Sequence, residues 1–149
     1  MTANQLFRDI VREVAWGEGD EFDRLIRQLP DQDAEAYFLF LSAMMAGALE
    51  HHFKDDPSRE AIVRFVNELR YEFRKVDPPI NALAIEGIIR GFYGEDHLLD
   101  NMSTSDKMAA AYPIIRSIAS RSDHMRDNID KYFHDAELLA REWTEDARS

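Results

Sequence analysis

The sequence predicts an all-α fold, a single compact domain over residues 1–149 with about seven helices around two central apolar ones. Three observations lead there. Glycine and proline are scarce, six and five in 149 residues. No stretch alternates β-branched and polar residues, and helix start and stop signals recur roughly every 15–25 residues. A chain of this length buries about 68–70% of its unfolded surface, so its core needs no disulfide or metal staple. The chain has no cysteine, which excludes thiolate metal sites, cysteine nucleophiles and disulfides.

The first helix starts at Thr2, which has the capping-box spacing to Gln5. It places Phe7, Ile10, Val11 and Val14 on one face, opposite Arg8 and Arg12. Gly17 and Gly19 end it. Asp20 is placed to cap a short second helix carrying Phe22, Leu25, Ile26 and Leu29, which stops at Pro30 because proline cannot continue the hydrogen-bond ladder. A third helix starts at Asp31 or Asp33 and contains Ala36–Leu49, fourteen residues without a charge. Fourteen is short of the roughly twenty that span a bilayer, so this segment reads as a helix covered on all sides by protein.

Asp56-Pro57 predicts the next start, with Ile62, Phe65, Val66, Leu69, Phe73 and Val76 on one stripe packed over the central helix. Asp77-Pro78-Pro79 repeats the signal for a second mostly buried helix reaching about Tyr93. Its charges Glu86 and Arg90 are spaced to pair, Gly87 and Gly91 are spaced for a close backbone approach, and Gly94 supplies a left-handed stop. Residues 95–103 read as a loop pinned by Leu98, Leu99 and Met102. A sixth helix from Ser103 or Ser105 to about Ser120 is kinked at Pro113, which frees a carbonyl near Ala109 beside Tyr112. The last helix begins near Ser122, with Met125, Ile129, Tyr132, Phe133, Ala136, Leu139, Ala140 and Trp143 on its apolar face. The helices near 34–53 and 79–93 are expected in the middle.

Charge bears on function. Acids outnumber bases 29 to 18, for a formal net charge of -11, and the excess is heaviest in residues 1–35, with nine acids against four bases. Such a surface repels phosphate backbones and anionic lipid, so neither nucleic acid nor a membrane is an expected partner, whereas a basic protein surface is favoured. The N-terminal stretch MTANQLFRDIVREV mixes charges where a signal peptide has an apolar core, and the location expected is cytoplasmic.

No P-loop, zincin motif, nucleophile elbow or calcium loop occurs, and none of the five histidines follows a glutamate by three residues, as di-iron bundles require. No catalytic residue and no cofactor is therefore assigned. Three weaker groupings remain. His51 and His52 each have an aspartate four residues on, Asp55 and Asp56, a spacing that puts two pairs of metal-ligating groups on a helix. The same histidines also suit a helix C-terminus, where the macrodipole and free carbonyls favour them. Trp16, Glu18, Asp20, Glu21 and Phe22 combine aromatics with acids and could dock a basic partner, although Trp16 could equally cover the junction of the first two helices. Met44, Met45 and Tyr112 could line an apolar pocket, or simply pack the core.

The run DPPINALAIEGIIRGFYGEDHLLDNMS, followed by a helix, a polar turn and a terminal AELLAREW, resembles small all-helical bacterial proteins of no assigned activity. The resemblance covers roughly the C-terminal half. It implies one cytoplasmic helical domain and carries over no functional residue. The function expected is that of a non-enzymatic interaction or binding domain, self-associating as a homodimer or docking a basic partner. The alternative is a small-molecule or metal-dependent activity housed in the bundle.

Overall fold

The computed structural model describes residues 2–54 and 56–148, and these form eight α-helices and two 3-10 turns with no strand. Helix α1 (Ala3–Trp16) starts as its cap predicts, with Gln5 N donating to Thr2 Oγ1 at 3.1 Å. The reciprocal half of the capping box is absent because the Gln5 amide bonds Asp9 instead. Helix α2 (Asp20–Arg27) is capped by Gly19, at φ 101°, and Asp20 is its first helical residue. A 3-10 turn at Asp31–Asp33 leads into α3 (Ala34–Phe53).

Two expected starts move toward the C-terminus. Helix α4 (Arg59–Glu72) is capped by Ser58, whose hydroxyl accepts from Ala61 N, while Asp56 bonds Ser58 N from outside the helix. Helix α5 (Ala82–Phe92) is capped by Asn81 rather than Asp77, so residues 73–81 form an irregular crossing. The physical reason is the pair Pro78-Pro79, which disfavours helical backbone at the residue before each proline.

Helix α6 (Thr104–Ser120), capped by Ser103, runs on through Pro113. The final helix divides into α7 (Asp123–Asp127) and α8 (Ile129–Arg148). The break is at Asn128, whose side-chain amide and backbone N–H both donate to the His124 carbonyl, at 2.9 and 3.0 Å, and so cap α7.

Helix α3 takes the centre, as its uncharged sequence requires, with Tyr37, Leu41, Ala48 and Leu49 fully buried. It packs against α6 and α8, while α1 crosses α6 and touches α3. The second central position goes to α6 rather than α5. Ile114, Ile115, Ile118 and Ala119 are buried, and α6 meets α1, α3, α4, α5 and α7. Helix α4 lies on α5, so it does not cover α3 and reaches only its end, through Phe65 against Phe53. Polar ties fix the layers. Arg8 of α1 holds Glu137 of α8 through two hydrogen bonds of 2.7 and 2.8 Å. Glu72 of α4 accepts from buried Ser117 and from Arg121.

Of the two glycines in the predicted close approach, only Gly91 makes one. A Cβ there would lie 2.7 Å from Leu99 Cγ, so the glycine admits the 3-10 turn Asp96–Leu99, whereas Gly87 faces open space. Gly94, at φ 112°, makes the expected left-handed stop. Arg90 does reach Glu86 at 3.4 Å, but its closer partner is Glu95, gripped at 2.7 and 2.8 Å across that turn.

Candidate functional site

The α1–α2 turn is held tightly to α6. Trp16 Nε1 donates to the Ala119 carbonyl at 3.1 Å, and Arg126 lies over its ring. Arg116 Nη1 donates to the Gly17 carbonyl at 2.6 Å and to that of Val14 at 3.3 Å, so a buried-end cation satisfies the last carbonyls of α1. Gly17 is the residue that fits: a Cβ there would collide with Glu13, whose backbone oxygen is 2.7 Å away. These ties leave a gap between α1–α2 on one side and the irregular crossing 73–81 on the other.

The gap is a groove of about 680 Å³. Its walls are Val14 and Phe22 on one side and Phe73, Val76 and Ile80 on the other, over a floor of Ala109, Tyr112 and Pro113 from α6. Phe22 stands edge-on to Tyr112, with ring centres 5.2 Å apart. Beneath, the Tyr112 hydroxyl shares a 2.9 Å hydrogen bond with that of Tyr37, which is fully buried. Burial, reinforced by Tyr112, pushes the Tyr37 phenol far above its ordinary range; burial also raises Tyr112, against the bond to Tyr37. Both hydroxyls stay protonated at neutral pH, so the floor is uncharged. The rim is not: Glu13 and Glu18 line it and Asp20 is exposed beside them.

The structure divides the predicted docking cluster. Trp16 is half-buried and bonded within its own chain, to Ala119 of α6 with Arg126 over its ring, and Glu21 is paired with Arg24. Phe22 and Glu18 face the groove. Val76 and Ile80 were not foreseen there, since the apolar stripe assigns Val76 to α4. The double proline is the signal, because it keeps residues 77–81 out of α5 and leaves this segment to form a wall.

His51 and His52 diverge, as neighbours on a helix must. His52 packs against Phe53 and Phe65. His51 Nε2 lies 2.9 Å from Ser122 Oγ, and its ring stacks on His124 at 5.1 Å. These rings border a cleft of about 590 Å³ between α3 and α8 with Tyr132 and Asn128. Burial lowers the pKa of both His51 and His52; His124 and Lys54 add to the effect at His51, and Arg121 at His52. Asp56 is exposed and Asp55 lies outside the described residues. Among the described residues, no three His, Asp or Glu side chains converge as metal ligands. Met44, Met45 and Tyr112 do not share a pocket. Met44 is buried beside the histidine cleft, Met45 borders a third cleft, and Tyr112 is the groove floor.

No described helix is long and apolar enough to cross a membrane. Comparison of the chain with protein-family models, with curated proteins and with solved structures gives no match.

Proposed function

We propose that this protein is a non-enzymatic, cytoplasmic interaction domain whose groove between α1–α2 and residues 73–81 takes a basic amphipathic helix of a partner protein. One observation carries the reading: an apolar groove of about 680 Å³ is rimmed by Glu13 and Glu18 in a chain of net charge -11. An amphipathic helix places apolar anchors at i, i+3, i+4 and i+7 into such a groove, and its lysines and arginines meet the acidic rim. Glu13 and Glu18 supply that rim, with Asp20 exposed beside them, and none of the three has an ion-pair partner among the described residues. Arg116, the one cation in the lining among the described residues, is already engaged by two carbonyls. Among the described residues the lining pairs no nucleophile with a base, which favours binding over catalysis. The same acidity argues against nucleic acid as partner.

A second reading, homodimerisation over this face, draws on Leu83 at 84% and Val76 at 46% exposure beside the groove. Like charge on the two copies opposes it. Fluorescence anisotropy with a labelled leucine–lysine peptide of about eighteen residues, five helical turns, tests the proposal. Binding should weaken with salt and fall at least tenfold with Phe22→Ala, an aromatic anchor in the groove. Equal binding of a shuffled, non-amphipathic peptide of the same composition, or indifference to Phe22→Ala, would refute it. Light scattering showing a dimer that Leu83→Glu and Val76→Glu dissolve would favour the second reading.

A further inference from the structure

We propose that a separate cleft, bounded by α3, α5, α6 and the end of α8, binds a straight-chain carboxylate, its apolar tail between the helices and its head on Lys107. The cleft holds about 290 Å³ and is walled by Phe38, Met45, Ile88, Phe92, Met108 and Trp143. Lys107 stands at its border as the one ionisable side chain in the lining among the described residues. Its situation differs from that of the other lysines and arginines. Arg27, Lys54, Arg59, Arg64, Arg70, Lys75 and Arg141 also lack an acid partner among the described residues, and all of them are exposed. Lys107 is partly buried against apolar surface and still has no acid, carbonyl or ring to hold its ammonium among the described residues.

An ammonium without a counter-charge at the border of an apolar cleft favours an anion, and the apolar walls favour one that brings a hydrocarbon tail. Trp143 also borders the cleft. The Trp143 indole N–H has no acceptor among the described residues, whereas that of Trp16 is bonded to Ala119. A carboxylate has two oxygens, enough for an ammonium and an indole N–H together. A phosphate head would carry more charge than one lysine balances, and a neutral alcohol would leave the lysine unanswered. The walls also adapt to a slender chain, since Met45 and Met108 are unbranched and flexible.

The experiment is calorimetric titration of the full chain with hexanoate, octanoate, decanoate and decanol, with Trp143 fluorescence recorded alongside. Each added methylene that finds room should tighten binding about fourfold. Decanoate should bind at least tenfold tighter than decanol. Lys107→Met, which keeps the apolar stem, should erase that preference, and Lys107→Arg should preserve most of it. The fluorescence change should vanish in Trp143→Phe. Equal affinity for decanoate and decanol in the wild type overturns the proposal, as does a preference that survives Lys107→Met or a complete lack of binding. Circular dichroism of each variant confirms that lost binding is not lost fold. None of these outcomes depends on the groove at α1–α2.

Discussion

Removing one hydroxyl from the Tyr37–Tyr112 pair should cost more on the groove side than on the core side. Tyr37 is fully buried and its hydroxyl has Tyr112 as its partner, at 2.9 Å. Tyr112→Phe therefore leaves a polar group in the core without a hydrogen bond, a loss of about 1–3 kcal/mol. Tyr37→Phe leaves the Tyr112 hydroxyl at the groove, where water can replace the lost partner, and should cost about 0.5–1.5 kcal/mol. Replacing both by phenylalanine removes donor and acceptor together and should be nearly neutral. The double variant should thus be more stable than Tyr112→Phe alone, with a coupling of about 1.5–4.5 kcal/mol, well beyond ordinary additivity error. At roughly 2–4 °C per kcal/mol for a chain of this size, Tyr112→Phe should lower Tm by roughly 2–12 °C. Urea denaturation followed by circular dichroism gives all four corners of the cycle. Additive costs, or a Tyr37→Phe loss as large as that of Tyr112→Phe, would refute the argument.

Stability should also respond to pH at both ends. His51 and His52 have folded pKa values below the unfolded value of about 6.5, so the folded state binds fewer protons in that interval. Their contribution is full above about pH 6.5 and is lost as pH falls through the folded values; urea midpoints at about pH 7.5 and 5.5 should differ less in His51→Gln/His52→Gln. Tyr37, with its pKa raised, contributes below about pH 10 and loses that contribution as pH rises further, so Tyr37→Phe should flatten the alkaline limb of the same profile. Gly94→Ala puts a side chain at φ 112° and should destabilise by about 1–3 kcal/mol in thermal melts, a cost that Gly87→Ala, facing open space in a helix, should not show. Glu137→Gln loosens the two-bond grip of Arg8 on α8 and should cost about 1–2 kcal/mol by denaturant titration.

What the sequence displays most clearly is whatever depends on local periodicity. The uncharged run of α3 can only be a covered helix, and Met125, Phe133 and Ala136 are buried on the face the wheel assigns them. Caps at Thr2 and Ser103 follow from short-range chemistry and are found where expected. The misplacements share a cause: a competing local preference a few residues away. Prolines 78 and 79 delay the start of α5, and the last helix divides where Asn128 caps α7. The groove was only partly legible. Phe22, Tyr112 and Pro113 could be singled out along the chain, but residues 73–81 reach them through a fold-wide contact that no periodicity encodes. The Lys107 cleft was invisible for the same reason, since its walls come from four helices.

The most direct test of the proposed groove is a backbone amide NMR titration of the 17.3 kDa protein with the unlabelled leucine–lysine peptide. The account predicts shifts concentrated at Val14, Glu18, Phe22, Val76, Ile80 and Tyr112, saturating at one peptide per chain. Shifts spread evenly over acidic surface residues, or centred on the histidine cleft around His51 and His124, would contradict it.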